Sequence, residues 1–361
     1  MAIKTVGAKR LQGLKSDRVA GAPPTYNPAW VEVGRTTLTS DGSVGGSMTV
    51  SSIPTKYRYL QCLYNLQDGS AGNVMMLGRI NGSGNNYEEK GVDINGSSDA
   101  RFAYGSQAYW NMGLADGSYD SFGIQHITNY NGEARRSIYN ECVHNGSGNN
   151  PKARRHFGYR GDTSNTTQVE AWSYGSGRAF GNGSELVVLG LDPAGSAESE
   201  GFWKYLGGNT LTGTSDNLTT GTIAAKKYLW MQGYVKATGS VRMNLTFNND
   251  AGSNQYKRTQ QKDSSQSSSY TDNCVDLHAS MRDLYFVNAY ICNNASAESL
   301  IFYDVVSVDG VSSNSATIPS RIWGCAKWLN SSNQITEIDI TNNNSGQDYS
   351  AKSFIKVWGS D

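Results

Sequence analysis

Acidic side chains are the first candidates for chemistry in this chain. Glu88 and Glu89 are adjacent, Asp93 follows shortly after them, and Glu170 lies much further along. Two carboxyl groups can hydrolyse a glycosidic bond, one as general acid and the other as base or nucleophile. Such pairs meet in space without any fixed spacing in sequence. We expect these four residues to be solvated loop or strand-face acids; a polysaccharide depolymerase, which would need two of them paired in one cleft, is the alternative.

Metal and cofactor chemistry has little support in the residue pattern. The histidines are far apart, with no H-x-H or H-E-x-x-H spacing, and the cysteines form no C-x-x-C pair. Neither a phosphate-binding P-loop nor a G-x-S-x-G nucleophile elbow occurs. We therefore expect no cofactor, no bound metal and no enzymatic activity. The histidines are His126, His144, His156 and His278.

An Asn-rich loop in the second half is a possible ligand-facing loop. It consists of Asn248, Asn249 and Asp250, followed by Tyr256 and Arg258. The side-chain oxygens could hold Ca²⁺, but they lack the spacing of a calcium-binding loop. Asn and Asp side chains also hydrogen-bond to nearby backbone in turns, and this structural role is the more common one.

Aromatic residues among Asn, Ser and Asp suggest a second kind of binding surface. Tyr104, Tyr109, Trp110 and Tyr119 could stack against sugar rings, as in an adhesin. Aromatic side chains of this kind more often pack in a core or between subunits. Sugar binding is therefore the alternative interpretation of this segment.

A basic leader precedes the rest of the chain. Residues 1–27 contain five Lys or Arg residues against one Asp, which gives a net charge of +4. Because the whole chain has a formal net charge of zero, the remaining residues carry −4. We expect an extended arm that docks on an acidic partner or on nucleic acid, although a solvated tail has the same composition. The docking residues are Lys4, Lys9, Arg10, Lys15 and Arg18.

An internal repeat organises the elements that must position these residues. Trp30 and Gly34 match Trp203 and Gly207 at an offset of 173 residues. Further along the offset settles at 169, where Arg58-Tyr59-Leu60 matches Lys227-Tyr228-Leu229, Tyr87 matches Tyr256 and Asp192 matches Asp361. A register that recurs over a whole domain length indicates a duplication. It predicts a first domain at 28–192, a linker at 193–200 and a second domain at 201–361.

Alternating strands give the fold class. Val241, Met243, Leu245 and Phe247 alternate with polar residues, which is the pattern of a half-buried β-strand. Gly- and Asn-rich turn clusters separate such runs, and no long helical periodicity occurs. The sequence therefore predicts an all-β protein of two tandem jelly-roll-like β-sandwich domains with an extended N-terminal arm, about eight strands per domain.

The thiols and the hydropathy pattern indicate where such a protein is made. Five cysteines, an odd number at wide spacing, favour reduced and mostly buried thiols made in a cytoplasm. No apolar run approaches the roughly 20 residues of a membrane span, and no signal-peptide pattern is seen at the N-terminus. We expect neither membrane insertion nor export by that route.

The sequence resembles virion-associated structural proteins of tailed bacteriophages. The resemblance rests on the Trp-x-x-x-Gly opening, the Lys-Tyr-Leu strand, the loop from Phe247 to Arg258 and a terminal Val-x-Gly. The first copy keeps only Asn81, Gly82 and Tyr87 of that loop, so the two copies differ there. The leader, Ala8 to Arg18, is also similar to leaders in these proteins.

The resemblance implies a particle component. A head decoration (cement) protein would bind the outside of the capsid through its arm, with the major capsid protein or other virion proteins as partners. The alternative is a tail fibre or spike adhesin that binds host surface glycans. On either reading the protein is made in the host cytoplasm, located in the virion and homo-oligomeric, without membrane or specific nucleic acid contacts.

Overall fold

The computed structural model describes most of the chain after the leader. The described residues are 30–67, 69, 74–82, 84, 86–94, 99–115, 120–130, 136–145, 150–174, 179–192, 201–263, 265–281, 283–309, 319–344 and 346–361. The predicted arm and the predicted linker lie outside these ranges. Within them the chain contains strands and no helix, so it offers no helix long and apolar enough to span a membrane.

The first copy contributes twelve strands. They form one eight-stranded sheet, in the order β1-β12-β3-β8-β9-β10-β5-β6, and one four-stranded sheet, in the order β2-β11-β4-β7. The strands are β1 (Val31–Thr37), β2 (Ser47–Ser51), β3 (Tyr59–Leu66), β4 (Val74–Ile80), β5 (Tyr87–Ile94), β6 (Asp99–Gln107), β7 (Trp110–Ala115), β8 (Ser121–Thr128), β9 (Arg136–His144), β10 (Lys152–Arg160), β11 (Gln168–Tyr174) and β12 (Glu185–Leu191).

The second copy repeats this arrangement strand for strand. Its eight-stranded sheet has the order β13-β24-β15-β20-β21-β22-β17-β18 and its four-stranded sheet the order β14-β23-β16-β19. The strands are β13 (Lys204–Thr210), β14 (Asn217–Thr219), β15 (Tyr228–Lys236), β16 (Val241–Phe247), β17 (Tyr256–Lys262), β18 (Ser265–Asp272), β19 (Val275–Met281), β20 (Asp283–Cys292), β21 (Ser299–Asp309), β22 (Ser320–Trp328), β23 (Ile338–Thr341) and β24 (Phe354–Ser360).

The fold is all-β, with two antiparallel β-sandwiches, as predicted. The expectation of about eight strands per domain was wrong, because the described residues of each copy form twelve. The additional strands include the edge hairpin β17–β18, whose Ser- and Gln-rich sequence shows no apolar alternation. Each strand number in the second copy is its counterpart's plus twelve, so the repeat seen in sequence is also a repeat of topology.

Each sandwich has its own core between its two sheets. In the second copy the four apolar residues of β16 predicted to share one face are all fully buried, and so is Ile340 of the neighbouring strand β23. In the first copy Met48 and Met76 of the four-stranded sheet pack in one cluster with Cys62 and Val188 of the eight-stranded sheet. Alternation along the strands therefore identified the inward faces correctly.

A third core joins the two copies. Leu63, Phe122 and Val143 on the outer face of the first eight-stranded sheet form one buried cluster with Tyr228 and Phe302 of the second. Strand β9 contacts β21, and β10 contacts β22. The four sheets are therefore layered in the order four, eight, eight and four strands, with the two large sheets in the middle.

Buried asparagines brace equivalent loops in both copies. The Asn129 amide donates to the carbonyl of Tyr57 at 2.9 Å, and its oxygen accepts from the Thr166 backbone N–H at 2.6 Å. Asn293 makes the same pair of bonds, at 3.0 and 2.7 Å. Both side chains belong to fully buried residues, so they satisfy loop backbone groups that water does not reach. The partners of Asn293 are Lys226 and Ile335, each 169 residues after its counterpart.

Candidate functional site

The predicted ligand-facing loop is held by its own contacts. The Asn248 side-chain oxygen accepts from the backbone N–H groups of Thr336 at 2.8 Å and Glu337 at 3.0 Å, and its amide donates to the Gln334 carbonyl at 2.9 Å. Asn248 has a φ of 52°, in the left-handed region that asparagine tolerates better than most residues. These contacts support the structural interpretation of this residue.

The first copy contains the same device. Asn81 has a φ of 55°, and its oxygen accepts from the backbone N–H groups of Thr167 at 2.8 Å and Gln168 at 3.1 Å. Its amide donates to the carbonyl of Asn165 at 2.7 Å. Asn81, which the first copy keeps from this loop, therefore has the same structural role as Asn248, and both fix strand ends.

The remaining loop residues are also engaged. Tyr256 is fully buried, and its hydroxyl lies between the Phe247 backbone N–H and the Asp250 carbonyl. The Asp250 carboxylate accepts from the Trp328 indole N–H at 3.0 Å. Arg258 forms an ion pair with Asp272 at 2.9 Å, and Asn249, the exposed member, donates to Glu337 at 2.8 Å. Among the five predicted residues only Asn249 has a largely exposed side chain. The residues of the predicted arm, Lys4, Lys9, Arg10, Lys15 and Arg18, lie outside the described ranges.

The acidic candidates do not form an accessible pair. Glu88 and Glu89 line one open groove of about 720 Å³, but the Glu89 side chain is only 1% exposed. Asp93 forms an ion pair with Arg154 at 2.6 Å. Glu170 lies on β11 in the other sheet of the sandwich. The depolymerase interpretation gains no support from these positions.

Glu89 instead belongs to a buried polar cluster. Its carboxylate lies 3.6 Å from the His156 Nε2 atom and accepts from the Asn111 backbone N–H at 3.2 Å. The His156 ring packs on Trp110 with centroids 4.6 Å apart, and among the described residues neither ring nitrogen has a hydrogen-bond partner. Burial raises the pKa of Glu89 to about 7, and burial followed by the Arg154 charge lowers the pKa of His156 well below 6.5.

The predicted aromatic platform is not one surface. Trp110 is buried, being 1% exposed, whereas Tyr104 is 49% exposed. Tyr109 is half-buried and packs on Tyr174. Tyr119 lies outside the described ranges. Trp110 begins β7 and packs on the buried His156 ring, whereas Tyr104 lies on the edge strand β6 of the other sheet.

Exposed aromatic area occurs instead on the outer face of the first eight-stranded sheet. Phe157 on β10 is 60% exposed and packs on Tyr139 of β9, with ring centroids 4.6 Å apart. A largely apolar groove of about 510 Å³ runs beside it, lined also by Trp30, Tyr59 and His126. The second copy covers only part of this face, so the aromatic strip stays open.

A smaller groove of about 360 Å³ lies where the two copies meet. Phe157 and Arg155 of the first copy line it together with Trp323 and Arg321 of the second. The Arg155 guanidinium lies over the Trp323 ring, 4.4 Å from its centroid, and pairs with Asp304 at 2.6 Å. Neither copy alone could form this site. Sequence analysis missed it because its residues come from five strands of two copies, and no local pattern predicts that they meet.

No cluster suited to a metal ion occurs among the described residues. All five cysteines are free and buried. Burial raises the pKa of the Cys62 thiol to about 12 and that of Cys142 to about 11, so both stay protonated and unreactive near neutral pH.

Comparisons with known proteins give little further information. No family model and no curated protein match the chain. Among solved structures, domains LG4-5 of the mouse laminin alpha1 chain align over 91% of this chain and 89% of that one, at 7% identity and a TM-score of 0.19. A similarity at that score supports no argument about this protein, so the fold assignment rests on the strands and sheets themselves.

Proposed function

We propose that this protein is a structural component of a tailed-bacteriophage virion, a head decoration protein bound to the outside of the capsid through residues 1–27. The proposal takes its biological setting from the sequence resemblance. The partners would be the major capsid protein or other virion proteins, without membrane or specific nucleic acid contacts. Synthesis in the host cytoplasm is consistent with five free, buried thiols.

The core between the two copies is the observation that best supports a structural role. Apolar residues of both eight-stranded sheets pack there, and Phe122 lies 5.5 Å from Phe302 between ring centroids. Buried polar bonds flank this core, including the ion pair between Arg155 and Asp304. Two sandwiches joined in this way form one stiff block, and such blocks suit the reinforcement of a shell.

Charge and exposed apolar residues supply the means of attachment. The leader carries +4 and the rest of the chain −4, so the arm would favour an acidic surface of the shell. Phe286 and Val306 are more than 40% exposed and lie on neighbouring strands of the second copy, and Tyr205 is 58% exposed. Such residues suit contacts between protomers of a homo-oligomer.

The second candidate function is a tail fibre or spike adhesin that binds host glycans. The groove between the copies favours it, because Phe157 and Trp323 offer aromatic surface there and Arg155 and Arg321 offer charge. Ligand sites are commonly found at domain junctions, with aromatic walls and a few polar groups.

Copy number in purified particles tests the proposal and separates the two candidates. Quantitative mass spectrometry would compare peptides of this chain with those of the major capsid protein. Hundreds of copies per particle support decoration, and a dozen or so support a tail location. Absence from particles purified through a density gradient would overturn both.

A further inference from the structure

We propose that the groove between the two copies binds a carboxylated sugar residue of a surface polysaccharide. The inference deepens the adhesin candidate and rests on it. Residues on β5, β6 and β10 of the first copy and on β17 and β22 of the second line the groove. Those that bear on ligand chemistry are Lys90, Arg101, Arg155, Phe157, Arg321 and Trp323.

Cations outnumber the available acids in this groove. Arg155 is neutralised by Glu141 and Asp304, and Arg321 also pairs with Asp304, at 3.0 Å. Within the described part of the chain, Lys90 and Arg101 have no carboxylate within ion-pair distance. Both are largely exposed. They offer two uncompensated positive charges to an incoming carboxylate.

Two buried donors in the groove wall have no acceptor. The Arg155 side chain is 7% exposed, and its Nε–H has no hydrogen-bond partner among the described residues. Trp323 is 4% exposed, and its Nε1–H also has no hydrogen-bond partner among the described residues. A buried donor without an acceptor costs about 1–3 kcal/mol. Sugar hydroxyl and carboxylate oxygens are acceptors of the kind that these donors lack.

Phe157 provides the apolar part of the recognition. Its ring is 60% exposed at the rim of the groove, and Tyr139 supports it from the neighbouring strand. A sugar ring has an apolar C–H face that packs on such a surface, while its polar edge turns to the charged groups. A neutral apolar ligand would leave the cations unused.

Acidic residues near the groove disfavour a polyphosphate ligand. Asp263 lines the groove, and Glu141 and Asp304 lie behind Arg155. Nucleic acid binding calls for a broad basic surface that contacts many phosphates. A few isolated carboxylates on an uncharged carbohydrate backbone match this mixed charge pattern better.

The groove brings equivalent positions of the two copies together in one site. Arg155 pairs across the sheet with Val92, and Trp323 pairs with Gln261, the residue 169 positions after Val92. Arg155 and Trp323 are therefore equivalent positions of the two copies, and each now contacts the other. The two equivalent positions carry different residues, and so do Phe157 and its counterpart Cys325, so two similar sheets form an asymmetric groove.

Binding of defined oligosaccharides to the purified full chain tests the inference. The probes are digalacturonate, which carries carboxylates, and the neutral digalactose of the same linkage, both followed by calorimetry. We expect the chain to bind digalacturonate, more weakly at higher salt. The double variant Lys90→Ala/Arg101→Ala should lose about tenfold or more in affinity, which is about 1.4 kcal/mol per factor of ten.

Two further variants sharpen the result. Phe157→Ala should weaken binding at least as much, because it removes the stacking surface. Lys356→Ala, an exposed cation outside this groove that lies over Phe354, is the matched control and should bind like the wild type. Failure of the wild type to bind digalacturonate, or equal binding by the groove variants, would overturn the proposed site.

The adhesin function can be tested independently of sugar binding in the groove. Adsorption of intact particles to host cells, measured with and without excess digalacturonate, reports on the function. Binding by the isolated chain without any block of adsorption would support the groove and contradict the adhesin. Adsorption blocked by another sugar, together with no binding of digalacturonate to the chain, would support an adhesin and overturn this groove.

Discussion

The Tyr228 hydroxyl of the second copy donates a hydrogen bond to the Glu185 carboxylate of the first copy at 2.6 Å. Lys227 contributes a second bond from the second copy, and Arg35 and Thr37 contribute two from the first. The carboxylate is 3% exposed. Burial alone would raise the pKa of Glu185, but the bonds from Tyr228, Lys227 and Thr37 hold it below its ordinary value.

Replacing Glu185 should destabilise the interface between the two copies. Glu185→Ala leaves the buried Tyr228 hydroxyl and the partly exposed cations Arg35 and Lys227 without their shared acceptor, which costs about 1–3 kcal/mol. We expect the wild type to unfold in one cooperative calorimetric transition, because the core between the copies couples them. The variant should unfold at lower temperature, with a broadened or split transition.

Glu32→Ala is the matched control, because Glu32 also pairs with Arg35 but is exposed and stays within the first copy. Its effect should be within about 1 kcal/mol. Two separate transitions in the wild type would contradict the coupling between the copies.

The side-chain hydrogen bonds of Asn248 should stabilise the fold and should not affect ligand binding. Glycine adopts a positive φ without strain, so Asn248→Gly removes the side-chain bonds alone. We expect a loss of about 2–3 kcal/mol in unfolding free energy, measured with urea. Asn81→Gly should cost a similar amount in the first copy, because its three bonds are equivalent.

Asn249→Gly is the control for both variants. Asn249 also has a positive φ, 56°, but its side chain is exposed and makes one bond to Glu337. A loss of stability as large as that of Asn248→Gly would show that the backbone, and not the side-chain bonds of Asn248, accounts for the effect.

Glu89 should make stability fall as the pH rises. Its pKa is raised by burial to about 7 in the folded chain, from an ordinary 4.5. Between these values the folded chain binds a proton that the unfolded chain has released, so the unfolding free energy decreases with increasing pH. Glu89→Gln cannot ionise. Relative to the wild type it should gain about 3 kcal/mol between about pH 5 and pH 8.

Glu88→Gln tests whether the pH dependence of stability comes from the buried carboxyl group of Glu89 or from any carboxyl group on this strand. Glu88 is the exposed neighbour on the same strand, so its replacement should leave the pH profile unchanged. His156 also lowers stability below about pH 6.5, because burial keeps it neutral in the folded chain, and Glu88→Gln leaves this contribution in place. Parallel profiles for the wild type and Glu89→Gln would refute the assignment.

The thiols should be inert in the folded protein. Every cysteine is free and buried, and the pKa of Cys274, the most exposed at 8%, is raised by burial to about 12. A thiol reagent should titrate none of them rapidly in native buffer and all five in urea. Rapid labelling of one thiol in native buffer would show that this cysteine is accessible to solvent in the folded protein and would contradict its burial.

Sequence patterns predicted the fold class and the repeat because both depend on local alternation and on recurring residues. The strand count was underestimated where strands are polar, as in Ser265–Asp272. The core between the copies had one local signal. Residues Leu186 to Leu189 are apolar on both faces of β12, which is typical of a strand covered on both sides. The identity of the covering sheet has no such signal.

The groove between the copies could not be predicted from the sequence for a related reason. Arg155 and His156 resemble surface residues in sequence, and their burial depends on packing from a second layer. The loop at Asn248 drew attention through its composition, although its side chains serve the backbone. Composition identifies polar loops, but it does not distinguish those that bind a ligand from those that cap strands.

Cross-linking of intact particles tests the central proposal most directly. A lysine-reactive reagent applied to purified virions, followed by mass spectrometry, reports which proteins lie beside Lys4, Lys9 and Lys15. The decoration role predicts cross-links from these lysines to the major capsid protein, and fewer of them after a high-salt wash that weakens charge pairing. Particles that contain the chain but show its leader cross-linked only to tail proteins, or that lack the chain altogether, would contradict it.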